Sequence, residues 1–134
     1  DCPDGLSPFE AGPHTLPGCR HAATWVEGDR LFLFCALVGD RPERIVLSCV
    51  DLTETWPRWK ATDPQIVLEP QLSWEGAGLP TEPSRSGVAQ EPVCQLRDPA
   101  IYEEDGRLCL QYSGAGEQDI GLARLVRRQD AASC

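Results

Sequence analysis

Methionine is absent from these 134 residues, and the chain starts at Asp1-Cys2 with no apolar leader, so the sequence leads one to expect a processed product or a piece of something longer. No stretch approaches the roughly 18 consecutive apolar residues of a membrane span, and none is expected. Basic clusters are also missing. Twelve Lys and Arg stand against 21 Asp and Glu, a formal net charge of -9 with no Arg/Lys-rich run for phosphates, so neither nucleic acid nor a membrane is an expected partner. Among seven cysteines there is no Cys-x-x-Cys pair, which removes the usual zinc and redox motifs. Long stretches of 3.6-residue apolar period are lacking too, because 12 prolines and 12 glycines interrupt the chain. The expectation is an all-β protein.

What is present is an apolar content of 41%, enough for one core at this length. Cys35, Cys49 and Cys109 fall in strand-like runs and read as small buried hydrophobes. Cys2, Cys19, Cys94 and Cys134 lie in loops or at ends and could bridge in an oxidising compartment, which the sequence does not fix. The strongest signal is a copy. Arg20 to Ala36 lies without a gap over Arg97 to Ser113, an offset of 77 residues. Six of the 17 aligned positions are identical (Arg20/Arg97, Ala23/Ala100, Glu27/Glu104, Arg30/Arg107, Leu31/Leu108, Leu33/Leu110). Unrelated segments would share roughly one. A fixed internal period marks units that bury their apolar faces by stacking on their neighbours.

In the first copy, apolar runs at Leu31–Ala36 and Ile45–Val50 predict strands, joined to a preceding strand through the turn Glu27-Gly28-Asp29 and to each other through Gly39-Asp40-Arg41-Pro42. Ile66-Val67-Leu68 predicts a fourth. The second copy repeats the order with strands over Ala100–Glu103, Leu108–Ser113 and Ile120–Leu125. Four-stranded antiparallel units in tandem are the blades of a β-propeller, so the pattern predicts a partial propeller of about two blades. The segments would be an inter-blade stretch over 1–19, a first blade over 20–71, a crossing loop over 72–96, a second, incomplete blade over 97–125 and a polar tail over 126–134.

The second copy, with its Arg97-Asp98-Pro99 opening, its acidic Glu103-Glu104-Asp105-Gly106 turn and its strand ending in Tyr112-Ser113, resembles the blade openings of five-bladed propeller glycosidases. The likeness is to glycoside hydrolase family 43-like proteins within the arabinanase, levansucrase and invertase group. Arg20-His21-Ala22 is a related opening, and Ser48-Cys49-Val50-Asp51-Leu52 with Trp56 and Trp59 is similar to a corner of that fold. The resemblance spans roughly residues 20 to 125. It implies hydrolysis of a glycosidic bond in a polysaccharide or oligosaccharide by carboxylate acid/base chemistry, with carbohydrate as the partner. The family fold needs five blades and this chain holds about two, so most of the family's acids would lie outside it. A non-catalytic carbohydrate- or protein-binding module, or a fragment that pairs its exposed blade edges in self-association, is the alternative.

In such a fold the opening residues of each blade's first strand face a shared central cavity, which places His21 and Asp98 at equivalent axial positions. Glycoside hydrolysis needs two carboxyl groups. Asp98 is the catalytic candidate, against the alternative of an Asp that only caps the turn before Pro99. Arg20 and Arg97 are candidates to hold an axial carboxylate, and with His21 to contact substrate; the competing reading is an inter-blade salt bridge. Trp74 and Glu75 head the crossing loop, where an indole beside a carboxylate suits a sugar ring, or simply packs. Glu82 and Glu91 could fold over the cavity. Glu10-Ala11-Gly12-Pro13-His14 is a coincidental likeness to an acid-bearing opening, and Trp25, Tyr102 and Tyr112 read as core. No cofactor is expected. A central calcium ion, which axial histidines attend in some family members, would find no supporting ligand spacing around His21.

Overall fold

The structure is a computed structural model that describes residues 5–9 and 11–127. Glu10, Cys2, Cys134 and most of the expected polar tail lie outside the described residues. Among the described residues, seven strands form two antiparallel sheets, in chain order throughout. The first sheet contains β1 (Cys19–Glu27), β2 (Arg30–Leu37), β3 (Ile45–Asp51) and β4 (Gln65–Leu68). The second contains β5 (Arg97–Glu104), β6 (Arg107–Gly114) and β7 (Asp119–Arg124). The protein is therefore all-β, and among the described residues its helical content is two single 3-10 turns, Trp56–Arg58 and Ser73–Glu75. The second sheet holds the three strands that the sequence placed in the incomplete second unit.

Turn chemistry sets the hairpins. Asp105 and Gly106 both take left-handed backbone (φ 50° and 70°), the pattern of a two-residue hairpin whose twist matches its strands. The two first strands share a subtler feature. Each is bulged at the same place, between Arg20 and Ala23 in β1 and between Arg97 and Ala100 in β5, so the register against β2 and β6 slips identically.

Period-2 alternation gives each sheet two faces. Cross-strand partners place Ala23, Trp25, Phe32, Phe34 and Ala36 on what we term the front face of the first sheet, with Ile45 and Leu47 of β3 beside them. Thr24, Val26, Leu31, Leu33 and Cys35 lie on its back face. The same rule puts Ala100, Tyr102, Cys109 and Gln111 on the front of the second sheet and Ile101, Leu110, Tyr112 and Ala123 on its back. The hydrophobic core forms where the front of the first sheet meets the back of the second: Phe34, Ala36, Ile45, Leu96, Leu110 and Tyr112 are buried together, with Ala23, Phe32, Leu47, Ile101 and Ala123 packed against them. At the hairpin-turn end the sheets leave a groove lined by Trp25, Phe32, Leu47, Leu108 and Leu125 and rimmed by Arg30, Arg107 and Arg124.

Four expectations about individual side chains are corrected. Tyr102 is exposed and Trp25 only half-buried, because Tyr102 sits on the front of the second sheet, which no described element covers. Cys94 is buried rather than open to bridging, and Cys19 opens β1 instead of lying in a loop. Cys19, Cys35, Cys94 and Cys109 are free thiols.

Candidate functional site

The bulges in β1 and β5 put His21 and Asp98 in left-handed conformations (φ 45° and 52°). A non-glycine residue pays about 1–3 kcal/mol for such backbone, and such residues cluster where a side chain must be aimed. Here the aim is mutual. Nδ1 of His21 contacts Oδ1 of Asp98, and the Ser113 hydroxyl donates to Oδ2 of the same carboxylate at 3.2 Å. His21 is exposed and Asp98 is part-exposed, so the pair lies open at the edge where β1 and β5 come together. A carboxylate on Nδ1 fixes the neutral ring as the Nδ1–H tautomer and leaves Nε2 as a free acceptor. The two repeats thus bring together the two residues that sequence alone set at matched positions.

Arg20 and Arg97, one residue earlier in each repeat, turn the other way. Both reach Glu43, a fully buried carboxylate in the β2–β3 loop. Arg20 donates from Nε to Oε1 and from Nη2 to Oε2, both at 2.8 Å, a two-pronged pair. Arg97 Nε lies 3.0 Å from Oε2 of Glu43. Nε and Nη2 of Arg97 both donate to Gln95 Oε1, and Nη1 donates to the Gly87 carbonyl at 3.2 Å and to Glu117 Oε1 at 2.8 Å. Arg20 also donates to the Arg85 carbonyl at 3.0 Å. Of the two readings the sequence offers for these guanidiniums, substrate contact and inter-blade salt bridge, the geometry is that of the second, an ion-pair joint between the repeats. Burial is the largest influence on Glu43 and raises its pKa from the ordinary 4.5, while the hydrogen bond and charge of Arg20, then the charge of Arg97, oppose it.

Trp74 and Glu75 also divide. Glu75 is buried, and it accepts from the Tyr112 hydroxyl at 2.6 Å and from the backbone N–H groups of Gln71 and Leu72 at 2.8 Å each. Burial alone would raise its pKa; these three donors outweigh it and hold the carboxyl below the ordinary value. Glu75 therefore pins the crossing segment to the second sheet rather than reaching for a sugar. Trp74 stays 40% exposed and stacks on Tyr112, with ring centroids 6.1 Å apart. Gly121 makes room for this: a Cβ there would stand 2.7 Å from Trp74 Cη2 and run into the Tyr112 ring. Glu82 and Glu91 line a pocket of about 440 Å3 in the crossing segment, with Arg85 and Val93, separate from the His21–Asp98 pair. Among the described residues no three His, Cys, Asp or Glu side chains converge to hold a metal ion.

Glu43 is the residue that sequence reasoning missed. It lies outside the copied segment, but two matched arginines at the joint of the repeats, Arg97 buried and Arg20 partly so, require a carboxylate, and that requirement was the available signal.

No family model matches this chain, and no solved structure matches it. A stretch of 109 residues, 81% of the chain, is 41% identical to an uncharacterized protein of Acanthamoeba polyphaga mimivirus and makes up 31% of that protein. The chain thus spans about a third of the length of this relative.

Proposed function

We propose that this chain is two adjacent blades of a propeller-type, glycoside hydrolase-like protein, and that it supplies the His21–Asp98 pair as one wall of a carbohydrate site. The observation that supports the reading is the meeting of two side chains 77 residues apart, each aimed by the same left-handed bulge at the opening of its repeat. That is the arrangement expected of radial units whose first strands open on a shared centre. In hydrolysis, Asp98 is the carboxylate that accepts a proton from the attacking water, directly or through the His21 imidazole whose ring it orients. The second carboxyl comes from outside these two sheets, since Glu43 is enclosed by Arg20 and Arg97.

The test is release of reducing ends from a panel of plant and microbial oligosaccharides by the intact protein that supplies the second carboxyl along with this chain. Asp98→Asn keeps the fold and is expected to lower turnover by at least about a thousandfold, the loss of a general base with its nucleophile. Unchanged turnover removes Asp98 from the chemistry. One observation favours a second reading, a carbohydrate-binding module without catalysis: the exposed pair holds a single carboxylate, where hydrolysis needs two. Under that reading oligosaccharide binding is measurable by calorimetry, falls with Asp98→Asn, and no bond is cleaved.

A further inference from the structure

β4 runs along the outer edge of β3, but β7, the counterpart of β3 in the second sheet, has no strand beyond it among the described residues. Cross-strand partners match the two strands: Phe34 faces Leu47 and Gln111 faces Leu122, so Ile45, Leu47 and Cys49 correspond to Ile120, Leu122 and Arg124. In an antiparallel pair a residue sends its N–H and C=O to the same neighbour, and the next residue sends them the other way. Leu125 N donates to the Leu108 carbonyl at 2.9 Å, so Ala123 and Gly121 also turn toward β6. Ile120, Leu122 and Arg124 therefore turn outward. In the first sheet the same places are filled. Ile45 and Leu47 lie opposite Leu68 and Gln65 of β4, while Cys49 accepts from the Thr62 N–H at 2.9 Å and its own N–H donates to the Thr62 hydroxyl at 3.0 Å.

We infer that β7 pairs edge to edge, antiparallel, with β7 of a second copy of this chain, the twofold axis passing beside Leu122. An antiparallel edge is its own complement, and this register sets Leu122 against the partner's Leu122 and Ile120 against the partner's Arg124. Every outward residue of the strand then gains a backbone partner. Ile120 and Leu122, 84% and 64% exposed in the single chain, gather with their symmetry mates into one apolar stripe on the front face. On the back, Gly121 stands against the partner's Ala123, so only small residues meet where Trp74 lies close over Gly121. Nothing in the strand resists the approach. β7 has neither proline nor lysine, and its register against β6 has no bulge, whereas exposed edges are ordinarily guarded by such features. Edge pairing does not depend on the carbohydrate reading, since the His21–Asp98 contact is made at β5, the opposite edge of the second sheet.

Amide hydrogen exchange over a range of concentrations, with mass by light scattering on the same samples, tests the pairing. Rising concentration is expected to carry the mass from one chain to two and to slow exchange at Ile120, Leu122 and Arg124 by at least about tenfold. Gly121 and Ala123, turned toward β6, stay protected throughout. Leu122→Pro removes an outward donor without touching the bonds to β6, and is expected to hold the mass at one chain, its fold verified by circular dichroism. Leu122→Ala keeps the donor and still pairs. The exchange readout needs no variant, so a proline chain that misfolds leaves the test standing. A wild-type mass of one chain throughout overturns the inference, as does protection at Ile120, Leu122 and Arg124 that ignores concentration, the mark of an occupant from within the chain. Growth beyond two chains, which joining β7 to β4 would give, overturns it too. So does assembly of Leu122→Pro, or its loss in Leu122→Ala.

Discussion

Phe34 and Gln111 stand at the same place in the two repeats, one buried and the other open to solvent. Ala36 and Ser113 differ in the same direction along the same face, one buried and the other half-buried. Both sheets have the same bulge, the same hairpin order and the same alternation, so the difference does not come from the backbone. It comes from what lies in front: the second sheet covers the first, and no described element covers the second. Side-chain chemistry at matched positions reports the neighbour rather than the strand.

The joint between the units is where this comparison breaks first. Glu43→Ala leaves Arg20 and the buried Arg97 without their shared carboxylate, and a loss on the order of 4 kcal/mol is expected in denaturant unfolding. Exchanging the front-face residues comes next. Phe34→Gln is expected to cost on the order of 3 kcal/mol, since it removes a packed ring and buries an amide, while Gln111→Phe stays within about 0.5 kcal/mol. Equal effects at the two positions would mean that both faces are equally covered.

Tyr112 and Cys35 are another matched pair. Burial, then Cys19 beside it, pushes the Cys35 thiol up, whereas Tyr112 carries the crossing segment through Glu75. Tyr112→Phe is expected to cost about 2 kcal/mol, the loss of a hydrogen bond to a charged, buried acceptor. The pH sign follows from Glu75, whose folded pKa lies below the ordinary 4.5. Its contribution is present above the unfolded value and disappears as pH falls through the folded one. The gap between wild type and Tyr112→Phe therefore narrows in acid unfolding below that range. The smallest effect carries a gain: His21→Gly relieves left-handed backbone in β1 and is expected to raise stability by about 1 kcal/mol while removing the ring from the candidate site. A loss of stability there would make His21 a structural residue.

The sequence revealed the repeat, six of the seven strands by their apolar runs and β1 by the turn that follows it, and the matched positions of His21 and Asp98 but not their contact, because each is written locally in alternation, turn residues and an ungapped copy. The bulges stayed hidden for the same reason the copy was clear: both repeats carry them, so the alignment shows no gap. Glu43 and Glu75 act across the chain, on partners 23 and 37 residues away, and nothing local distinguishes them from solvated acids. Tyr102 was misplaced because alternation identifies the two sides of a strand without saying which has a neighbour.

The long segment after β4 crosses between the sheets mostly in the open, with its stretch from Pro80 to Pro83 and from Arg85 to Val88 exposed. A protease cut there would separate Glu43 and Arg20 on one piece from Arg97 on the other, yet the severed pieces would still share one charge cluster and one apolar seam. Such halves are expected to stay together after nicking and to melt in a single transition, so the two copies behave as one cooperative body rather than as beads on a string.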